Sequence, residues 1–468
     1  MGDSLANTLQ QGISFHQSCQ LDEAIRCYRE ALKGQPENIS VLSNLGVALR
    51  ARGMLDEAAA CFRKVLAINP DNADAHYNLG NALKGQGHLD EAISCYRTAI
   101  SIKPEFARFH YNLGNTLQGQ GRLDEAVSCY RKAIVINPDD ARVHYNLGKA
   151  LKDQDKLDAA VSSYRKAIAI NPEFAEAHQN LGNALKDQGK PDQTVECCRS
   201  VVAIRPENAV AHYNLGIALR DLGKRDEAIS SFKEALELKP DFAEARHLID
   251  SLLGRATKSP PRKYIENLFN HRAEAFEIQL VMQLGYKMPS ILKKVAVERG
   301  LADEKFGNVI DLGCGTGLAG VAFRDLAESL IGIDLSENMI REAQKKNTYD
   351  ELYVNDIIEG LESLDTKFNL FVSADVLVYL GDLLPLFRSV KKHSADHALM
   401  IFSTEHTDAD GYILQETGRY AHSKDYIHSV ATAAGLHLDY YTQAKLRKEK
   451  GVWILGGIYV LRSVNPLD

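Results

Sequence analysis

Between residues 308 and 317 the chain reads Asn308-Val309-Ile310-Asp311-Leu312-Gly313-Cys314-Gly315-Thr316-Gly317. A short apolar run ends in an acid and passes into glycines at alternate positions, which lets the backbone approach a ligand without interference from Cβ atoms. The residues from about 318 read as a helix, whose first N–H groups add free donors. A second apolar run, Leu330-Ile331-Gly332-Ile333, ends in Asp334, where a carboxylate can accept both hydroxyls of a ribose. The stretch Gly315-Thr316-Gly317-Leu318-Ala319-Gly320 also satisfies the Gly-x-Gly-x-x-Gly pattern of dinucleotide-binding turns. Asp311 argues against that reading, because it would repel a pyrophosphate and attract a cationic amino-acid group.

Together, Asp311-x-Gly-x-Gly-x-Gly and Asp334-Leu335-Ser336-x-x-Met339 resemble the class I S-adenosylmethionine-dependent methyltransferases, over about residues 262–468. The resemblance implies a Rossmann-like α/β domain with a mostly parallel seven-stranded sheet and S-adenosylmethionine as cofactor. It implies Asp311 at the methionine end, Gly313 and Gly315 permitting close approach, Asp334 at the ribose, and Leu335 and Met339 among the cofactor-binding residues. Asp356 and Ile357 would then meet the adenine, and Ala374 would lie at the strand end under the sulfonium. Strands are expected at 352–355, 368–374, 398–403, 437–443 and 452–461. No metal-ligating constellation is visible.

The acceptor pocket of that family is usually built from the segment before the glycine turn and from insertions after later strands. Here these are Tyr264 to Pro289 and Glu405 to His422, the second rich in polar aromatic residues for a loop. Tyr264, Tyr286, Tyr412, Arg419 and Tyr420 are the expected substrate contacts, and His422 or Tyr379 the expected proton acceptor. With Leu284-Gly285-Tyr286, the loop resembles bacterial methyltransferases that carry tetratricopeptide repeats, a likeness that does not name a substrate.

The first half is organised by a repeat. Asn-Leu-Gly recurs from 44–46 to 214–216 at intervals of 34, and proline recurs from 36 to 240 on the same period. Leu-Asp-Glu-Ala and its variants intervene, with an aromatic four residues after the alanine: Tyr28, Phe62, Tyr96, Tyr130, Tyr164 and Phe232. Glycines such as Gly46 sit mid-helix and let a partner helix approach, whereas each proline ends a helix and opens the next loop. These residues resemble the tetratricopeptide repeat over seven copies, about 5–240, which implies a superhelix of paired helices. Leu248, Ile249, Leu252 and Leu253 share a helical face and are expected to cap the array. The domains are thus expected at 1–256 and 263–468 with a linker at 257–262, an α + α/β chain.

On the first helices of the repeats Asn44, Asn78, Asn112, Asn146, Asn180 and Asn214 recur, joined three residues on by Asn81, Asn115 and Asn183. This ladder resembles the repeat domain of protein O-GlcNAc transferases, which implies that Asn78, Asn112, Asn146 and Asn180 hold an extended peptide. The alternative is that the amides bond to neighbouring helices and stiffen the array. His76, His110, His144, His178 and His212 lie a repeat apart, too far to share a metal, and read as packing residues.

Composition narrows the partners. A net charge of −7 over 468 residues gives no reason to expect nucleic acid, and Arg447-Lys448-Glu449-Lys450 reads as a solvated loop. No run approaches the length needed to span a membrane. The N-terminus lacks the pattern of a secretory signal, and Ala6 stands where myristoylation wants Ser or Thr. Cys27, Cys61, Cys95 and Cys129 fall 34 apart without a Cys-x-x-Cys pair, which suits small buried hydrophobes in a reducing, cytoplasmic setting. The expected function is a methyltransferase whose repeats recruit a protein or peptide. The alternatives are a small-molecule methyltransferase with repeats for interaction or oligomerisation, and a cofactor-sensing adaptor. The acceptor atom and the oligomeric state are left open.

Overall fold

The computed structural model describes residues 2–270, 277, 285–298, 305–449 and 451–464, with side chains from residue 7 onward. The chain divides into two compact units, Met1–Gly223 and Lys224–Asp468. No described helix is long and apolar enough to cross a membrane.

The first unit is an array of antiparallel helix pairs, from α1 (Gly2–Gln17) to α13 (Ala209–Asp221). Several first helices start at an asparagine cap: Asn38 Oδ1 accepts from Val41 N at 3.1 Å and Asn72 Oδ1 from Ala75 N at 2.9 Å. Four of the second helices, α2 (Leu21–Gly34), α4 (Leu55–Ile68), α6 (Leu89–Ile102) and α8 (Leu123–Ile136), carry an Asp-Glu pair in the first turn, where it complements the helix dipole. Tyr28, Phe62, Tyr96, Tyr130 and Tyr164 are buried to at least 99%. The mid-helix glycines make that possible: a Cβ on Gly114 of α7 (Ala107–Gly119) would lie 2.7 Å from the Tyr130 ring on α8 (Leu123–Ile136). The recurring histidines lock each helix pair to its loop. Nε2 of His76, His110, His144, His178 and His212 lies 2.8–3.0 Å from the carbonyl of the proline six residues earlier.

The second unit begins earlier than the sequence suggested. It includes α14 (Arg225–Leu238), the second helix of the last repeat, and α15 (Ala243–Leu253) after it, followed by α16 (Arg262–Asn270) and α17 (Met288–Glu298). The α/β part then runs β1 (Phe306–Leu312), α18 (Leu318–Phe323), β2 (Ala327–Asp334), α19 (Glu337–Lys345), β3 (Glu351–Val354), α20 (Ile357–Glu362) and β4 (Phe368–Ser373). It continues with α21 (Leu384–His393), β5 (Ser394–His406), β6 (Tyr412–Leu414), β7 (Tyr420–His422), α22 (Lys424–Ala433), β8 (Leu436–Glu449) and β9 (Val452–Ser463).

Strands β3-β2-β1-β4-β5 are parallel neighbours, and β9 pairs antiparallel with both β5 and β8. The sheet is mostly parallel as expected but has nine strands among the described residues rather than seven, because β6 and β7 join it beside β5. The strand order reverses between β1 and β4, the switch point at which open α/β sheets take ligands. One face buries Ile310, Leu312, Ile333 and Phe371 beneath α20, α21 and α22, and the other buries Val309, Leu330 and Val372 with residues of α17 and α18.

The segment after β5 is more ordered than a loop. Its β6–β7 hairpin pairs with the end of β5 through Glu405↔Ala421 and His406↔His422. Glu405 meets Gly456 of β9 on its other side, so the hairpin occupies the position beyond the end of β4. The segment expected as a linker is pinned to the same region. Lys258 O accepts from Gly381 N and Asp382 N at 3.0 and 2.9 Å, and Thr257 Oγ1 lies 2.5 Å from the Tyr420 hydroxyl. On α15, Leu248 and Leu252 are buried and Leu253 is exposed, while Ser251 Oγ donates to Gln415 O at 2.6 Å. This helix seats the hairpin rather than closing the array alone.

Candidate active site

The glycine turn leaves β1 directly after Asp311 and Leu312. Gly313 has φ +77° and lies against Val376, where a Cβ would come within 2.4 Å; its N–H and that of Cys314 donate to Ile333 O. Gly315, at φ +52°, faces open space, so ligand can approach its backbone. Its N–H donates to Asp334 Oδ2 at 2.8 Å, and Ser336 N donates to Asp334 Oδ1 at 2.8 Å. The ends of β1 and β2 are thereby held together.

Asp311 is 1% exposed. Its Oδ2 accepts from the Tyr349 hydroxyl at 2.7 Å, and its Oδ1 is buried without a hydrogen-bond partner. Burial pushes this carboxyl up to about 7 against the hydrogen bond from Tyr349, with Asp334 adding to the rise. Tyr349 in turn accepts from Gly320 N at 3.0 Å, and a Cβ on Gly320 would lie 2.2 Å from its ring. The third glycine of the dinucleotide-like pattern is therefore present to admit a tyrosine. Sequence reasoning missed Tyr349, because nothing at position 349 marks it apart from any residue preceding a strand.

Met339 is buried, with its N–H on the Ser336 cap at 3.2 Å, and Leu335 is half-buried. Asn355 N donates to Asp334 O at 3.0 Å, which sets Asp356 beside the second strand end. Asp356 Oδ1 caps α20 through Ile358 N at 2.8 Å, and Ile357 is buried. Ala374 follows β4, its carbonyl 3.5 Å from the Tyr286 hydroxyl. Tyr286 is itself buried and feels the charges of Asp375, Arg447 and Asp311, so it links the glycine turn to the ends of β4 and β8.

At those strand ends stands a chain of charges the sequence did not reveal. Arg447, 7% exposed, donates Nη1 to Asp375 Oδ2 at 2.8 Å and Nη2 to the buried Glu405. Arg419 Nε lies 3.0 Å from Glu405 Oε1, off hydrogen-bond alignment, and its Nη2 pairs with Glu449. Ser403 Oγ holds both Asp375 N and Oδ1 at 2.9 Å, with Asp375 in left-handed backbone at φ +60°. Arg447 is thus buried on a strand rather than lying in the solvated loop expected, because two carboxylates and neighbouring apolar residues replace its water. Glu405, an acid closing the apolar run of β5, was the available signal.

Several expected roles do not survive the geometry. His422 is fully buried, with Thr404 Oγ1 at 2.8 Å from Nδ1 and Leu380 O at 2.8 Å from Nε2. Burial pulls its imidazole down to about 4. Both ring nitrogens are committed, so it has no lone pair to offer a nucleophile and instead anchors the hairpin. Tyr420 is also fully buried, its hydroxyl spent on Thr257, and Tyr412 packs against Tyr420, Tyr426 and His422. Tyr264 is buried beneath Gly418 and beside His247, whose Nε2 meets Gly418 O at 3.2 Å. These groups build the hairpin seat rather than line a pocket. Tyr379 remains half-buried, edge-on to Phe269 at 5.3 Å, with its phenol raised by burial and lowered by Arg419 and Arg447. Of the segment 264–289, residues 271–276 and 278–284 lie outside the described residues.

In the first unit, Asn112 Nδ2 donates to the Tyr77 hydroxyl at 2.6 Å, Asn146 to Tyr111 at 2.9 Å and Asn180 to Tyr145 at 2.8 Å. Asn81 Oδ1 accepts from Tyr96, and Asn115 Oδ1 from Tyr130. The half-buried ladder, Asn78 included, therefore spends part of its capacity on bonds across repeats.

Comparison with known proteins finds matches in both halves of the chain. The tetratricopeptide repeat profiles match residues 47–189 in four overlapping copies, then 175–208 and 209–242. A methyltransferase domain profile matches residues 282–449. The chain joins tetratricopeptide repeats to a methyltransferase domain. The chain is 26% identical over 142 residues to the malonyl-[acyl-carrier protein] O-methyltransferase of Hamiltonella defensa subsp. Acyrthosiphon pisum, covering 30% of this chain and 51% of that protein. It is 32% identical over 72 residues to the 18S rRNA (guanine-N(7))-methyltransferase of Bos taurus, covering 15% and 26%. The chain thus spans about half or less of the length of these relatives. Among solved structures, MamA is 30% identical with a TM-score of 0.34, covering 35% of this chain and 95% of MamA. YrrB, described as a TPR protein with an unusual peptide-binding site, is 25% identical with a TM-score of 0.36, covering 40% and 97%.

Proposed function

We propose that this chain is an S-adenosylmethionine-dependent methyltransferase whose repeats recruit a protein or peptide, with the acceptor received at the C-terminal ends of β4 and β5. The observation that carries the cofactor assignment is the unpaired, buried Oδ1 of Asp311 beside an open glycine turn. Leaving such an atom unsatisfied costs about 1–3 kcal/mol, which a cationic ligand group would relieve. In this reading Asp334 takes the ribose, Asp356 and Ile357 the adenine, and Leu335, Met339 and Ala374 the adjoining walls. The bound cofactor supplies an electrophilic methyl group on a sulfonium. The chain's own residues align the acceptor with that group and exclude water. Asp375, held by Ser403 and Arg447, and the phenols of Tyr286 and Tyr379 are the groups that orient it. Eight free cysteines suit a reducing compartment, and we assign the protein to the cytoplasm.

Isothermal titration with S-adenosylmethionine tests the cofactor, and absence of binding by the intact, folded chain overturns the reading. Asp334→Ala should weaken binding by about tenfold or more; an unchanged affinity removes the ribose assignment. Radiolabelled methyl transfer into a lysate fractionated by size tests the acceptor. Label in protein fractions supports recruitment of a macromolecule, and label in small molecules alone removes it.

A further inference from the structure

Six residues after the ladder asparagines at 44, 78, 112, 146 and 180 stand Arg50, Lys84, Gln118, Lys152 and Lys186, 34 residues apart; Lys84, Gln118 and Lys186 follow Asn81, Asn115 and Asn183 by three and neighbour them on the helix. The later members are each matched by an aspartate 35 positions on. Gln118 Nε2 donates to Asp153 Oδ2 at 3.1 Å, Lys152 Nζ lies 3.3 Å from Asp187, and Lys186 Nζ 2.8 Å from Asp221. Those aspartates are the last residues of α9 (Ala141–Asp153), α11 (Ala175–Asp187) and α13. In α5 (Ala73–Gly85) and α7 the same closing positions are Gly85 and Gly119. Arg50 and Lys84 consequently make no ion pair among the described residues, and Arg50 Nε is buried without a hydrogen-bond partner. Burial alone pulls the Lys84 amine below its ordinary range, with no acid nearby to hold it up.

We propose that Arg50 and Lys84 are the docking site for an acidic peptide segment, whose carboxylates supply what Asp153, Asp187 and Asp221 supply in the later repeats. The proposal deepens the recruitment part of the function above and rests on it. Two cations are too few for a phosphate backbone, whose binding grows with each charge neutralised. A peptide suits them because Asn81 beside Lys84, with Asn44 and Asn78 on the same two helices, carries amide groups able to meet an extended main chain. Packed helices lie about 8–10 Å apart, and an extended chain advances ~3.3 Å per residue. The two acids should therefore be about three residues apart.

The test is fluorescence anisotropy on the full chain. The probe is a fluorescein-labelled peptide of about ten residues carrying two glutamates three apart, with its glutamine counterpart as control. The diacidic peptide should bind and should weaken at higher salt. Affinity should fall by about tenfold or more for the glutamine peptide, for Lys84→Gln with Arg50→Gln, and for Gly119→Asp. The last variant gives Lys84 an internal partner, and a Cβ at 119 meets nothing within 4 Å. Should Gly119→Asp melt early, Lys84→Gln decides on its own. No binding to the wild-type chain, equal binding of the glutamine peptide, tighter binding of single-stranded oligothymidylate, or binding that survives the Arg50 and Lys84 changes would each overturn the proposal. S-adenosylmethionine titrated into the same samples separates the two claims. Lost cofactor binding with peptide binding intact sinks the methyltransferase reading alone, and the reverse sinks the peptide site alone.

Discussion

At Asp311 the chemistry turns on one proton. Folding raises this carboxyl from 3.8 to about 7. Between those values the folded chain holds a proton that the unfolded chain has lost, so the group's contribution to stability falls as pH rises. A cationic ligand group favours the ionised form and reverses that preference. Affinity for S-adenosylmethionine should therefore increase from about pH 6 to about pH 8, and Asp311→Asn should flatten the rise. Calorimetric titrations across that range check it; a wild-type affinity independent of pH would remove Asp311 from the methionine end. His422 shows the opposite shift, and with both nitrogens bonded it contributes a fixed hairpin rather than a base.

At the scale of elements, the helix pairs depend on close approach. The Tyr130 ring occupies the space above Gly114, 2.7 Å from where a Cβ would stand. Overpacking of this kind costs about 1–3 kcal/mol. Gly114→Ala should lower the repeats' unfolding midpoint accordingly, read by circular dichroism, while leaving cofactor binding unchanged; an unaltered melt would mean the two helices can part freely. The β6–β7 hairpin is a second such case. Its three-residue strands are too short to hold themselves, and bonds from His422, Tyr420 and Gly418 to neighbouring segments fix them at the end of β5.

At the scale of the molecule, α14 of the last repeat and α15 after it belong to the same compact unit as the methyltransferase domain. Arg225 pairs with Glu416, Ser251 bonds Gln415 and His247 meets Gly418, so removing these helices strips the hairpin of its seat. A fragment of residues 224–468 should melt cooperatively and bind S-adenosylmethionine. A fragment of residues 263–468, cut at the compositional linker, should melt at lower temperature and exchange the amides of 411–423 faster. Equal melting and exchange in both fragments would show that α14 and α15 are dispensable to the domain.

The repeat period, the strand–turn–helix around Asp311 and the acid at Asp334 were readable from the chain alone. Each is a local pattern, in which neighbours within one turn or one strand decide the backbone. Tertiary structure decided which groups meet across long separations. Arg447 looks like part of an exposed basic run until Asp375 and Glu405, brought in by β4 and β5, surround it. Gly320 looks like a phosphate-turn glycine until Tyr349 fills the space it leaves. Spacing gives no account of such partners, because a side chain's charge and hydrogen bonds are settled by what packs against it, and that is known only once the sheet has closed.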